Sequence, residues 1–151
     1  MAEDIIEEQI VQFCNMMHNL NRVYEDYARS VDIPYTTLEI LDYITWTDDC
    51  TQKKLCEMTF LPKQTVNNVI TAFNKQGLIE LREFERDRRI KTIHLTPAGI
   101  EYADRYIPQI RKAEYEAMAQ LTETQRKHLL DGLDAYCKIF RGVMPSGERQ
   151  E

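Results

Sequence analysis

Residues 77–99 read Gly-Leu-Ile-Glu-Leu-Arg-Glu-Phe-Glu-Arg-Asp-Arg-Arg-Ile-Lys-Thr-Ile-His-Leu-Thr-Pro-Ala-Gly. Gly77 is a helix stop, because glycine enters the left-handed conformation that closes a helix C-terminus without steric cost. Leu78-Ile79-Glu80-Leu81 and Lys91-Thr92-Ile93-His94-Leu95 alternate as two short strands, and Arg86-Asp87-Arg88-Arg89 forms a charged tip between them. Thr96-Pro97 then opens a new helix, a hydroxyl cap followed by a proline in the first turn. Just upstream, residues 62–76 predict a helix with Pro62 in its first turn. Val66, Val69, Ile70 and Phe73 share one face of it, while Gln64, Thr65, Asn67, Asn68, Thr71 and Lys75 fall away from that face. A helix with an amide-rich polar face followed by a basic hairpin is the plan of a winged helix-turn-helix.

The flanking sequence completes that plan. A first helix is predicted over residues 4–30. Ile6, Ile10, Phe13, Met17, Leu20, Tyr24 and Tyr27 make a stripe in alternating steps of four and three. Its length favours packing against a partner chain over simple burial. After a break at Pro34, Thr36-Thr37-Leu38-Glu39 predicts a capping box for a helix carrying Leu38, Leu41 and Ile44 and ending near Trp46. Thr51 is an N-cap for a short third helix with Leu55 and Met58, and Thr59-Phe60-Leu61 is the turn. From Pro97 a helix is predicted to about Gln120, bent at Pro108. Thr122-Glu123-Thr124-Gln125 is a second capping box, opening a last helix through Arg141. That helix has Leu129 or Leu130, Leu133, Tyr136 or Cys137, and Phe140 along one side. Residues 142–151 read as a frayed tail.

The fold class is therefore mainly α with a small β-hairpin wing. It is a single domain over 1–151, with a winged core at 35–95 and dimerisation helices at 4–30 and 97–141. The outer helices carry more apolar surface than one small winged core can cover, so a second copy is expected to cover it.

Composition sets the partner classes. The net charge is −6, yet its distribution is uneven: residues 1–50 carry 11 acidic and 2 basic side chains, and residues 51–91 carry 5 acidic and 9 basic. A basic module inside an acidic protein favours one docking orientation on a polyanion. No apolar run approaches the ~18 residues that cross a membrane, and the N-terminus lacks a signal peptide's basic and apolar regions, so a cytoplasmic protein is expected. Cys14, Cys50, Cys56 and Cys137 are scattered without a Cys-x-x-Cys spacing, and His18, His94 and His128 do not cluster. Neither disulfides, a zinc site nor a cofactor is expected. Asp26, Glu39 and Asp42 lack a nucleophile, a histidine partner or a glycine-rich phosphate loop, so catalysis is not expected.

Over nearly its full length the chain resembles the MarR family of winged-helix regulators. The resemblance is carried by Asp87-Arg88-Arg89, then five residues to Leu95-Thr96, and Gly99. Gly77-Leu78-Ile79 and Pro62-Lys63-Gln64-Thr65-Val66 support it. The resemblance implies a homodimeric regulator, more a repressor than an activator, on a palindromic operator in double-stranded DNA. The helix over 62–76 would enter the major groove and the wing the neighbouring minor groove. Arg89 would reach the minor groove, oriented by Asp87. The chain departs from the family at Pro62, often a small hydroxyl residue, and at Asn68 and Ala72, often basic. With amides in place of cations, an A·T-rich operator is expected, since Asn and Gln pair with adenine. Gln64, Thr65 and Asn68 are the foremost base-contact candidates, with Asn67 and Thr71 on the same face. Lys53, Lys63, Lys75, Arg82, Arg86 and Arg88 are candidates for the phosphates.

The resemblance also implies a small aromatic or lipophilic effector held where the dimerisation helices meet the core. Met17, His18, Tyr35, Leu38, Tyr43 and Trp46 are its candidate lining. Some relatives sense peroxide through a first-helix cysteine, which makes Cys14 the redox candidate. Its place beside Phe13 on the apolar stripe predicts a buried thiol with a raised pKa. Two alternatives accompany the main reading: a winged module that binds protein and not DNA, and a cysteine-based redox sensor of the same family.

Overall fold

The computed structural model describes residues 2–145. Along them run α1 (Ala2–Ser30), α2 (Tyr35–Trp46), α3 (Gln52–Thr59), α4 (Lys63–Lys75), β1 (Ile79–Phe84), β2 (Asp87–Leu95), α5 (Pro97–Asp104), α6 (Ile107–Gln120) and α7 (Glu123–Val143). The chain divides into a unit over residues 1–108 and a second over residues 109–151. The division falls inside the first of the two helices that the sequence places over 97–141.

The core of the first unit is built by α2, α3 and α4. Leu38, Ile40, Leu41, Cys50, Leu55 and Val66 are almost wholly removed from solvent. Val66, Ile70 and Phe73 anchor α4 by the face the sequence predicted. Each such buried side chain stabilises the packed state by about 1.5–3 kcal/mol. That burial fixes the rotation of α4 about its axis and so decides which polar residues face outward.

The start of α2 differs from the expectation. Pro34 is the N-cap and no side chain caps the helix, so the capping box over residues 36–39 does not form. Thr37 N and Leu38 N both donate to the Pro34 carbonyl, at 2.9 and 3.1 Å. With Pro34 at φ −55°, the helix starts at Tyr35, and Thr36 and Thr37 already lie inside it. Pro62 likewise sits at the N-cap of α4 and not within its first turn. Thr51 caps α3 as predicted, accepting from Lys54 N at 3.1 Å.

The wing is longer than expected. β1 and β2 pair antiparallel from Ile79 with Leu95 to Glu83 with Lys91, and the next pair is Phe84 with Asp87. The turn is thus Glu85-Arg86 alone. Arg88, Arg89 and Ile90 are extra residues on β2 with no partner on β1. They form a bulge, a device that re-aims side chains out of the regular pleat. β2 is also tied to the start of α3 by a bridge between Thr51 and Thr92 and by Ile93 N donating to the Cys50 carbonyl at 2.7 Å.

At the base of the wing the chain crosses itself. Thr96 Oγ1 donates to the Gly77 carbonyl at 2.6 Å and accepts from Gly99 N at 3.1 Å, and Thr96 N donates to the Leu78 carbonyl at 3.0 Å. Gly77 has φ +70°, the left-handed helix stop the sequence predicted. Gly99 is needed for space, since a Cβ there would lie 1.8 Å from the Leu78 carbonyl oxygen.

The single helix predicted from Pro97 to Gln120 is in fact two. α5 ends at Asp104, Arg105 and Tyr106 form a tight turn, and α6 begins at Ile107. Pro108 has no N–H to donate to the Asp104 carbonyl and its ring crowds that position, so the helix stops instead of bending. Near this turn Tyr27 of α1 donates its hydroxyl to the Tyr106 carbonyl at 3.0 Å. This bond belongs to a cluster in which Tyr27, Tyr35, Tyr102 and Tyr106 pack on Ala28, Ile33 and Leu38.

In the second unit, the capping box at Thr122 and Gln125 forms in full and α7 runs to Val143, so the first residues of the expected tail are helical. Residues 146–151 of that tail lie outside the described residues. No residue of α7 is buried in the single chain. On α1, Ile6, Ile10 and Leu20 each keep half or more of their surface exposed. Among the described residues no helix is long and apolar enough to cross a membrane.

Candidate nucleic-acid interface

α4 presents Gln64, Asn67, Asn68 and Thr71 outward, with Thr65 half-buried. Gln64 Nε2 donates to Asn68 Oδ1 at 2.8 Å, one helical turn away. These amides therefore stand side by side with further donor and acceptor capacity directed to solvent.

The bulge on β2 presents Arg89, whose side chain is 92% exposed. Asp87 grips it: Arg89 Nε donates to Asp87 Oδ1 at 3.2 Å, Nη2 to Oδ2 at 3.3 Å, and the Arg89 backbone N–H to Oδ1 at 3.1 Å. Those bonds from Arg89 hold the Asp87 carboxyl below the usual carboxylate range. The fork-on-fork arrangement fixes the guanidinium plane while its remaining donors face outward.

Between α3, α4 and the wing lies a groove of about 940 Å³. It brings together the predicted residues Lys53, Asn67, Thr71, Lys75, Arg86 and Arg89. It also contains Lys54, Asn74 and Lys91, which the sequence reading missed. Asn74 follows Asn67 and Thr71 at helical spacing, so periodicity on α4 was the available signal. Lys91 becomes recognisable only through its strand register, opposite Glu83, with which it forms an ion pair at 3.2 Å.

Other predicted residues lie outside this groove. Asn68 faces a separate hollow of about 360 Å³, shared with Asp32, Thr37, Gln76 and Tyr102. Arg82 is turned onto Glu80, its Nε donating to Oε1 at 2.6 Å. Lys63 and Arg88 are exposed, on the first turn of α4 and in the bulge. Within the groove, Lys53 is drawn toward Glu57 at 3.8 Å.

A family model described as MarR family matches residues 31–90, from just after α1 through α4 to the wing bulge. A MarR family regulator from Neisseria meningitidis superposes with a TM-score of 0.77 at 27% identity, covering 89% of this chain and 95% of its own. In sequence over residues 31–90, and in fold over most of its length, the chain is similar to MarR family regulators. A curated relative, an uncharacterised HTH-type transcriptional regulator of Bacillus subtilis, is 27% identical over 103 residues. That match takes in 68% of this chain and 59% of the relative's length. The fold is shared further with Staphylococcus aureus MepR in complex with DNA. There the TM-score is 0.69 at 20% identity, covering 88% of this chain and 94% of the MepR chain. S. aureus MarR in complex with salicylate and kanamycin gives 0.70 at 18%, covering 93% and 95%.

The six effector candidates fall in three places. Tyr43 and Trp46 lie together with ring centroids 5.3 Å apart, and Trp46 is 52% exposed. Tyr35 and Leu38 belong to the tyrosine-rich cluster at the end of α1, Leu38 buried and Tyr35 at 5.9 Å from the Tyr24 ring. Met17, half-buried, and His18, exposed, stand farther up α1.

The cysteines correct the sequence reading. Cys14 is exposed, because the helix turns it away from the side on which Phe13 is half-covered. The buried thiol is Cys50, beneath the junction of β2 and α3, and its burial pushes its pKa up to about 11.

Proposed function

We propose that this protein is a sequence-specific DNA-binding transcriptional regulator, working as a homodimeric repressor on a palindromic A·T-rich operator. The observation that carries the reading is the Arg89 guanidinium, exposed on a bulge and locked by Asp87, beside a helix whose outward face is amide-rich. An arginine pre-set in this way suits a narrow minor groove, whose negative potential is deepest in A·T tracts. The amides of Gln64 and Asn68, with Thr65, Asn67 and Thr71, suit adenine edges in the adjacent major groove. Lys53, Lys63, Lys75, Arg82, Arg86 and Arg88 supply charge for the flanking phosphates.

Dimerisation is supported by the apolar stripes left exposed on α1 and on α7, where Leu129, Leu130, Leu133, Tyr136 and Phe140 lie. Two copies related by a two-fold axis would read two half-sites about one helical turn apart. An aromatic or lipophilic effector at Met17, His18, Tyr35, Leu38, Tyr43 and Trp46 would release the operator. The pairing of half-buried Tyr43 with exposed Trp46 and the salicylate complex of the S. aureus relative support that part.

The test is selection of bound sequences from a random duplex library with wild-type protein and with Arg89→Ala. Enrichment of an inverted repeat, lost in the variant, is expected. No enrichment at low salt would overturn the operator reading and leave a protein-binding winged module as the surviving alternative.

A further inference from the structure

The groove between α3, α4 and the wing contains more hydrocarbon than a phosphate-binding surface needs. Its cations are Lys53, Lys54, Lys75, Arg86, Arg89 and Lys91, against the carboxylates of Asp49 and Glu57. Between them the wing contributes Leu81, Phe84 and Ile90, and Ile70 and Ile93 make the floor. Leu81 and Ile90 keep 44% and 41% of their surface exposed. Arg89 and Lys91 are tied to Asp87 and Glu83, whereas neither Lys75 nor Arg86 is in an ion pair among the described residues.

We propose that this groove binds a hydrophobic carboxylate, a medium- to long-chain fatty acid, in direct competition with DNA. The volume of about 940 Å³ is within the range of small-molecule sites. A fatty-acid tail covers Leu81, Phe84 and Ile90 above the buried Ile70 and Ile93, apolar area that a polyanionic backbone leaves wet. Its carboxylate meets Lys75 and Arg86, which are in no ion pair among the described residues, whereas Lys54, likewise without a carboxylate partner, is held on the Asp48 carbonyl at 2.9 Å. The fatty acid so gains charge-assisted bonds without breaking existing ones. Asn67, Thr71, Lys75 and Arg89 belong both to this groove and to the proposed DNA contact, so occupant and duplex exclude one another sterically and by charge. This site is separate from the α1 and α2 residues offered for an aromatic effector, and release through it needs no conformational change. The competition rests on the DNA-binding reading; the binding of the anion does not.

Dansyl-undecanoate, titrated into the full chain and followed by its emission, tests the site. Saturable binding is expected. Ile90→Asp should weaken it by about tenfold or more, since a carboxylate would then face the hydrocarbon tail. The Lys75→Glu/Arg86→Glu double variant, at exposed positions that leave the core intact, should weaken it similarly. A mixed-sequence duplex at low salt should displace the probe from wild type. Absence of saturable binding, or wild-type affinity in both variants, overturns the proposal. So does a duplex that binds, by its own anisotropy, without displacing the probe. Failure of wild type to bind any duplex strikes the DNA-binding reading instead, and the two variants then judge the anion site alone.

Discussion

Asp87 and Arg89 form a closed unit two residues apart: one carboxylate accepts from both the guanidinium fork and the backbone N–H of the same arginine. The unit exists because Arg88, Arg89 and Ile90 bulge from β2. Asp87→Asn keeps the size of the side chain but removes its charge, so Arg89 should lose its fixed plane. With the proposed DNA contact, the expected outcome is weaker duplex binding with an unchanged melting temperature, measured by anisotropy and calorimetry. Arg89→Ala should weaken binding roughly five- to a hundredfold, in the range of a lost groove contact. Because the Asp87 pKa is lowered, the carboxylate is ionised well below neutral pH and the pair is lost only as pH falls through that depressed value. The Arg89 Nε–H resonance should therefore be unchanged between pH 8 and 5, as roughly follows from an ordinary carboxylate pKa of about 4.

Lys75 closes the last turn of α4 inside the groove. If it meets a phosphate, Lys75→Gln should lower affinity about equally for all duplex sequences and reduce the slope of log K against log salt by roughly one. Titrations at several salt concentrations read this directly. Lys75→Gln binding with an unaltered slope would remove it from the interface.

Much of this architecture is legible in the sequence because local chemistry and tertiary packing agree there. Gly77, Thr51, Thr96-Pro97 and the Thr122–Gln125 box act over three or four residues, and each acts where its residue type predicts. The failures have a different character. Pro34 and Pro62 compete with neighbouring hydroxyl or amide caps, and the proline-set backbone decides. At Pro108 the sequence marked the place but not whether the helix would bend or stop. The bulge at residues 88–90 depends on register between strands, which no single segment encodes. The division of the polar α4 face between two hollows, Asn67 and Thr71 in one and Asn68 in the other, is also invisible until α4 is packed.

Gly99 lies against the Leu78 carbonyl with no room for a methyl group. Gly99→Ala must push apart the crossing of β1 and the start of α5 that Thr96 ties together. A loss of roughly 2–4 kcal/mol of stability is expected, the range of a severe backbone clash. Chemical denaturation of the two proteins measures it. An alanine variant as stable as wild type would show that the wing base is not rigid.

Phe60, in the turn between α3 and α4, combines φ +57° with a side chain 83% exposed. A left-handed backbone costs a non-glycine residue about 1–2 kcal/mol, and Phe60 recovers little of this by burial. Phe60→Gly removes that strain but gains freedom in the unfolded chain, which costs roughly 0.5–1 kcal/mol. The net expectation is a small stabilisation, a few tenths to about 1 kcal/mol, seen as a raised melting temperature. A clear destabilisation would mean that the ring makes a stabilising contact in the assembled protein.

Cys50 is buried under the β2–α3 junction, with its thiol pushed up to about 11 by burial, a shift that Lys54 opposes. At neutral pH it is therefore the neutral, unreactive form, and it should be the last of the four cysteines alkylated by iodoacetamide in the native protein. Mass spectrometry of partly modified samples gives the order. The linkage has a definite sign. The folded chain retains this proton where the unfolded chain, with an ordinary thiol, has lost it, so stability falls as pH rises from about 9 to about 11. Cys50→Ala abolishes that thiol and should flatten the alkaline slope while lowering stability at pH 7. If the slope persists in the variant, it belongs to other titrating groups, such as Tyr27 and Tyr102, whose hydroxyls burial also pushes up.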